Sequence, residues 1–160
     1  MFTEIHGLPV HPLAVHGAVV LVPLAALMGV LFAIPKTRAW SRLPLLLTSL
    51  AAVGAVFVAR QSGFKIKAHL LASDFPYKNL IAQHQSRAKV LFIIVIIYAL
   101  VAIAAYVLTR SGEPSRAVAI TLSVVLVVGA GAIAFQTYRV GELGSKIVYN
   151  PDGNVDFSSD

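Results

Sequence analysis

Residues 90–109 read VLFIIVIIYALVAIAAYVLT, an uncharged run bounded by Lys89 and Arg110. At ~1.5 Å of rise per residue, a helix of this length crosses the ~30 Å hydrocarbon layer of a bilayer. Three more runs of the same kind occur, at about 12–34, 43–59 and 117–138, and none of the four contains Asp, Glu, Lys or Arg. The expected fold is therefore all-α: a polytopic membrane protein forming a four-transmembrane-helix bundle, with 1–160 as a single domain. Tyr77, Leu80, Ile81, His84, Ala88 and Leu91 keep helical spacing ahead of the third run. The third helix is thus predicted to be extended, starting near Asp74 with Pro76 in its first turn. Phe64–Ala72 is a candidate continuation of the second helix, with a bend invited at Gly63. The fourth helix is expected to end in a glycine-rich C-terminal exit and a polar tail, 139–160.

Composition agrees with this class. Only 12% of the residues are charged, against ~25% in an ordinary soluble domain. The net charge of +6 comes from loop Lys and Arg and reads as topology and headgroup contact. A nucleic-acid partner would call for a basic face with base-reading residues, and none is visible. The chain has no cysteine, which excludes disulfides, iron–sulfur clusters and thiol catalysis. No Lys or Arg precedes the first run and no small-residue cleavage site follows it, so the first span is expected to be retained rather than removed as a signal peptide.

Alternating the spans places His6, His11, His16, His69 and His84 at the end that carries both termini. The opposite end has two short loops. Pro35–Arg42 carries Lys36, Arg38 and Arg42, with Trp40 as an interface anchor, and Arg110–Arg116 carries two arginines. Basic residues in short loops set orientation. The short loops are accordingly expected in the cytoplasm, with both termini outside.

Candidate site residues come from the few polar groups. His11 is expected at the N-cap of the first helix, with Pro12 in its first turn. His16, five residues on, is the one histidine within a run. The commonest use of such histidines is to satisfy backbone or neighbouring polar groups at the membrane surface. The sharper reading joins His16 to His84, on the third helix, in a shared pocket. Two histidines on different helices of a bundle can ligate haem b axially. Gly17 leaves room for the ring, and Arg60, Arg87 or Arg139 can meet the propionates in bidentate fashion. Against this, His16 lies below the membrane boundary and His84 above it, a depth difference of more than one helical turn. A weaker alternative is a metal site built from His11 with Glu142 or Glu4.

Elsewhere, Pro23 removes the partner of the Val19 carbonyl, and a bond from Tyr98 to backbone would satisfy both groups. Gly54, Gly129 and Gly131 read as close-packing positions. The run from Gly141 to Lys146 lacks the glycine spacing and preceding strand of a phosphate loop. No internal repeat is evident in the sequence.

Two segments carry a family resemblance: GLPVHPLAVH at 7–16 and RVGELGSKIVY at 139–149. Together they resemble a bacterial membrane family catalogued as domain of unknown function twenty-two thirty-one, over most of the chain. The resemblance implies a four-helix membrane fold and supplies no established activity. Family members often have a histidine where this chain has Glu142, a departure that weakens a ligand role at that position.

Two functions follow as expectations. The first is a non-enzymatic accessory subunit docking on a larger membrane complex, with respiratory electron transfer as the host class by analogy. It would use small-residue faces, including Ala51, Ala55, Ala130 and Ala134, and the charged segment Arg60–Lys89. The second is an electron-transfer bundle binding haem b through His16 and His84. No hydrolase or transferase constellation is present.

Overall fold

The computed structural model describes residues 4–5, 8–72, 77–112, 114–152 and 154. A two-residue antiparallel ladder comes first, with β1 (Glu4–Ile5) paired to β2 (Leu8–Pro9). Four helices follow: α1 (Val10–Ala33), α2 (Pro35–Ala72), α3 (Lys78–Thr109) and α4 (Arg116–Tyr149). Each is long and apolar enough to cross a membrane. They pack in a ring, α1 on α2, α2 on α3, α3 on α4 and α4 on α1, so that α1 faces α3 across one diagonal.

The buried stripes explain the ring. In α3 they fall at Leu91, Val95, Tyr98, Ala102, Ala105 and Thr109, and in α4 at Ala119, Leu122, Leu126, Ala130 and Ile133. Steps of three and four residues keep one face inward along each helix. The inward face of α2 sets small and polar residues, Ser41, Ser49, Ala52 and Ala59, beside Leu45 and Val56. Many large aliphatic side chains point out instead: Val20 is 64% exposed, Leu100 60% and Val128 67%. In water that surface would be an aggregation hazard. In lipid it is solvated, and small inward residues gain by letting helix backbones approach.

The structure moves several predicted boundaries. The first loop is not Pro35–Arg42: only Ile34 lies between α1 and α2. Pro35 opens α2, where its missing N–H costs nothing and its φ suits a helix. The amides of Thr37 and Arg38 both donate to Ile34 O. The second span therefore starts before Leu43, and α2 runs through Gly63 without ending there. α3 starts at Lys78, well before Val90, behind an N-cap Tyr77 that makes no side-chain cap bond. Asp74 and Pro76 lie outside the described residues. Gly141 and Gly144 are inside α4 rather than in an exit, since that helix continues to Tyr149.

The basic residues of the predicted loop have structural work. Arg38 is buried, donates from Nε to Phe32 O (3.3 Å) and from Nη2 to Ser123 Oγ (3.4 Å), and lies over the Phe32 ring. Arg42 donates from Nη1 to Thr109 O, at the end of α3. The last carbonyls of a helix have no intrahelical partner and carry the negative end of its dipole. Two arginines of α2, one helical turn apart, thus cap the C-termini of α1 and α3.

Candidate functional site

At the opposite end, two imidazoles are seated in the same way on two different helices. His11, the second residue of α1 rather than its N-cap, turns Nδ1 to Ala59 O of α2 at 2.9 Å. Its ring lies against Gly63, where an added Cβ would meet Cε1 at 3.1 Å. His84 of α3 turns Nδ1 to Val140 O of α4 at 3.1 Å, with its Cε1 3.4 Å from a Cβ built on Gly144. In each hairpin a histidine of the first helix reaches a carbonyl of the second, over a glycine four residues on. The glycine has no Cβ, so a flat ring can lie on the helix surface there.

This geometry decides the tautomers. A carbonyl only accepts, so Nδ1 carries a proton in both rings, and in the neutral form of each Nε2 keeps its lone pair. Ser62 Oγ, itself donating to Val58 O (2.8 Å) and Ala59 O (3.0 Å), lies 3.4 Å from His11 Nδ1 and accepts a second, longer share of that proton. His84 sits in the turns of α3 that precede the uncharged run 90–109. Burial lowers its pKa below the ordinary 6.5, the nearby His11 lowers it further, and the bond to Val140 O acts in the opposite direction. Both effects that lower it favour the neutral ring.

His16 and His84 make their hydrogen bonds apart from each other. His16 is exposed, and its Nδ1 is taken up by Pro12 O of its own helix at 2.6 Å. The hydrogen bond from Tyr98 of α3 to Ala25 O of α1 shows why. His84 is fourteen residues before Tyr98, His11 fourteen before Ala25, and His16 only nine. His16 therefore sits ~7.5 Å deeper than His84, and His11 at about the same depth. The histidine brought level with His84 is His11.

The other candidates separate. Arg60 lies over the rings of Phe92 (4.8 Å) and Phe64 (5.6 Å), and Arg139 over Phe135 (5.7 Å). Arg87 contributes its carbonyl, which accepts from Gln136 Nε2 at 2.8 Å. Glu142 pairs with Lys146 one turn on, at 2.7 Å, so the structure does not assemble a metal site from His11 and Glu142. Among the described residues no group of three or more His, Cys, Asp or Glu is placed to hold a metal ion. His6 and the side chains of Glu4 and His69 lie outside the described residues.

At mid-membrane, Tyr98 bonds to backbone as expected, though to a different carbonyl. Its hydroxyl donates to Ala25 O at 3.3 Å, not to the Val19 carbonyl freed by Pro23. Gly29 and Gly129 make room for the ring: a Cβ on Gly29 would lie 1.7 Å from the tyrosine oxygen, and one on Gly129 2.8 Å from Cδ2. Gly54 and Gly131 meet nothing within 4 Å and are not packing positions inside the bundle. Sequence reasoning passed over Gly29, Gly63 and Gly144 as contact sites. The available signal was a glycine four residues beyond a small or β-branched residue near the end of α2 and of α4.

No curated protein and no solved structure matches the chain. The family described as "Predicted membrane protein (DUF2231)" matches residues 7–156. Four apolar helices with lipid-facing aliphatic surfaces agree with that description, and the chain belongs to this family.

Proposed function

We propose that this protein is a non-enzymatic accessory subunit that docks on a larger complex of the bacterial plasma membrane, with both termini on the outer side. One observation carries the reading. α2, α3 and α4 have 38, 32 and 34 residues, or ~57, ~48 and ~51 Å, against the ~30 Å a span requires. The surplus of α3 and α4, with residues 60–72 of α2, stands at the histidine end as a polar helical platform. It is cross-braced by Lys67 Nζ to Gln85 Oε1, Tyr77 Oη to Asp152 Oδ2 (2.8 Å) and Gln136 to Arg87. A braced platform beyond the bilayer supplies hydrogen bonds and charge pairs to a partner, while the spans supply packing. Exposed small residues, Ala51 and Gly54 on α2 and Gly131 and Ala134 on α4, permit close helix contact from outside. Respiratory electron-transfer assemblies are the host class favoured by analogy with other small helical subunits.

Purification in mild detergent from native membranes, followed by native electrophoresis and mass spectrometry, tests the reading. A defined larger complex is the expected result. Gly54→Leu and Gly131→Leu, placed where the bundle itself has open space, should weaken that association without unfolding the protein. Recovery only as a free monomer with native lipids retained would overturn the proposal.

A further inference from the structure

We infer that His11 and His84 form a bis-imidazole axial-ligand site for haem b, at the terminal end of the bundle on the diagonal between α1 and α3. The inference is independent of the docking role, since a subunit with or without a cofactor can dock.

Register places the two rings opposite each other. Tyr98 reaches from α3 to Ala25 of α1 across the same diagonal. His84 is fourteen residues before Tyr98, and His11 is fourteen before Ala25. Four helical turns above the Tyr98 contact, the same two helices therefore present the two histidines to each other.

Each ring is also prepared as a ligand. A histidine that binds a metal through one nitrogen commonly gives the other N–H to a backbone carbonyl, which fixes the tautomer and raises the basicity of the ligating atom. Ala59 O and Val140 O do this for His11 and His84, leaving two Nε2 lone pairs. Gly63 and Gly144 let the rings lie flat against α2 and α4.

The number of donors selects the ligand class. A structural zinc site takes four protein ligands, and no set of three or more His, Cys, Asp or Glu is gathered among the described residues. Haem iron takes four nitrogens from its macrocycle and needs only two axial ligands from the protein. Adjacent helix axes 8–10 Å apart put the diagonal pair roughly 11–14 Å apart, the widest gap a four-helix ring offers a flat group. Exposed His16 and ion-paired Glu142 have no part in this site.

Hemin titration of the full-length protein in detergent tests the assignment, read by visible spectra before and after dithionite. The expected result is one haem per chain with a low-spin spectrum. Asparagine keeps a side-chain N–H for the carbonyl but has no ligand in place of Nε2. His11→Asn and His84→Asn should therefore remain monodisperse and helical, and each should lose the low-spin spectrum. His16→Asn should keep it. Electron paramagnetic resonance of the wild-type ferric complex supplies a readout that requires no variant, and a low-spin bis-imidazole signal is expected. Failure of the wild type to bind, a high-spin signal, retention of the low-spin spectrum in His11→Asn and His84→Asn, or its equal loss in His16→Asn would each overturn the site. A protein recovered as a free monomer that still passes these tests would refute docking alone.

Discussion

The two ends of this bundle both hold helices together with a nitrogen donor on a neighbouring helix's carbonyl, yet they do so with different chemistry. At the short-loop end the donors are the guanidinium groups of Arg38 and Arg42, and the acceptors are carbonyls at the ends of α1 and α3. Those carbonyls have no helical partner, so the positive charge answers a need that the helix itself creates. At the other end the donors are the imidazoles of His11 and His84, and the acceptors lie within α2 and α4. Those carbonyls already receive helical bonds, so the contact orients the ring more than it rescues the helix. An arginine used as a cap has no acceptor left over. A histidine bonded through Nδ1 still has Nε2, and so only the histidine end combines fixed geometry with a spare ligand atom.

The largest effect should come from the short-loop end. Arg38→Met keeps the apolar stem but leaves Phe32 O and Ser123 Oγ without their charged donor in a buried site. Hydrogen bonds to charged groups are worth about 1.5–3 kcal/mol, and the expected loss in unfolding free energy in detergent is about 2–3 kcal/mol. Arg42→Met, which removes one partly buried bond, should cost about 1 kcal/mol. Equal losses at the two positions would contradict the role given to burial.

A middle-sized effect separates the glycines. Gly63→Ala brings a Cβ to 3.1 Å from the His11 ring, so the ring must shift. The expected cost is about 1 kcal/mol, at the low end for overpacking. Gly144→Ala meets His84 at an ordinary 3.4 Å. Since Ala favours a helix over Gly by about 1 kcal/mol, that change should be neutral or slightly stabilising. Gly54→Ala and Gly131→Ala, with open space around them, should both stabilise. Thermal melts of the four variants rank them directly.

The smallest effect is a dependence on pH confined to one end. The folded pKa of His84 is lowered, first by burial and then by His11. Below the unfolded value of 6.5, the unfolded chain binds a proton that the folded chain resists, so stability falls as pH falls. The contribution of this group is fully present above that value and is lost as pH drops through the folded pKa. Hydrogen exchange should show protection around residues 81–88 and 137–144 declining below pH 6.5, while that of residues 32–42 holds. A uniform decline along the chain would show that the ends are not independent.

The fold class was legible in the sequence because four uncharged runs have few alternatives in lipid. Helix ends were less legible. Pro35, Lys36 and Arg38 look like a loop, and they form a helix because proline suits its first turn and the arginines find carbonyls on other helices. Gly141 and Gly144 look like a helix exit, but α4 continues through both. Which histidine lies level with His84 was less legible, for a reason of register. Distance from the apolar boundary favours His16, whereas relative depth is read from the contact of Tyr98 with Ala25 O, which sets α3 against α1. That reference lies in a tertiary contact between residues far apart in the chain, and no local pattern encodes it.

Nitrogen NMR of histidine-labelled protein in lipid nanodiscs tests the contrast between the ends most directly. With His6, His16 and His69 replaced by glutamine, only His11 and His84 report. The account predicts a proton on Nδ1 of both rings, with Nε2 unprotonated in the neutral form. A neutral tautomer with its proton on Nε2 in either ring would contradict it, because that ring could neither donate to its carbonyl nor offer a ligand through Nε2.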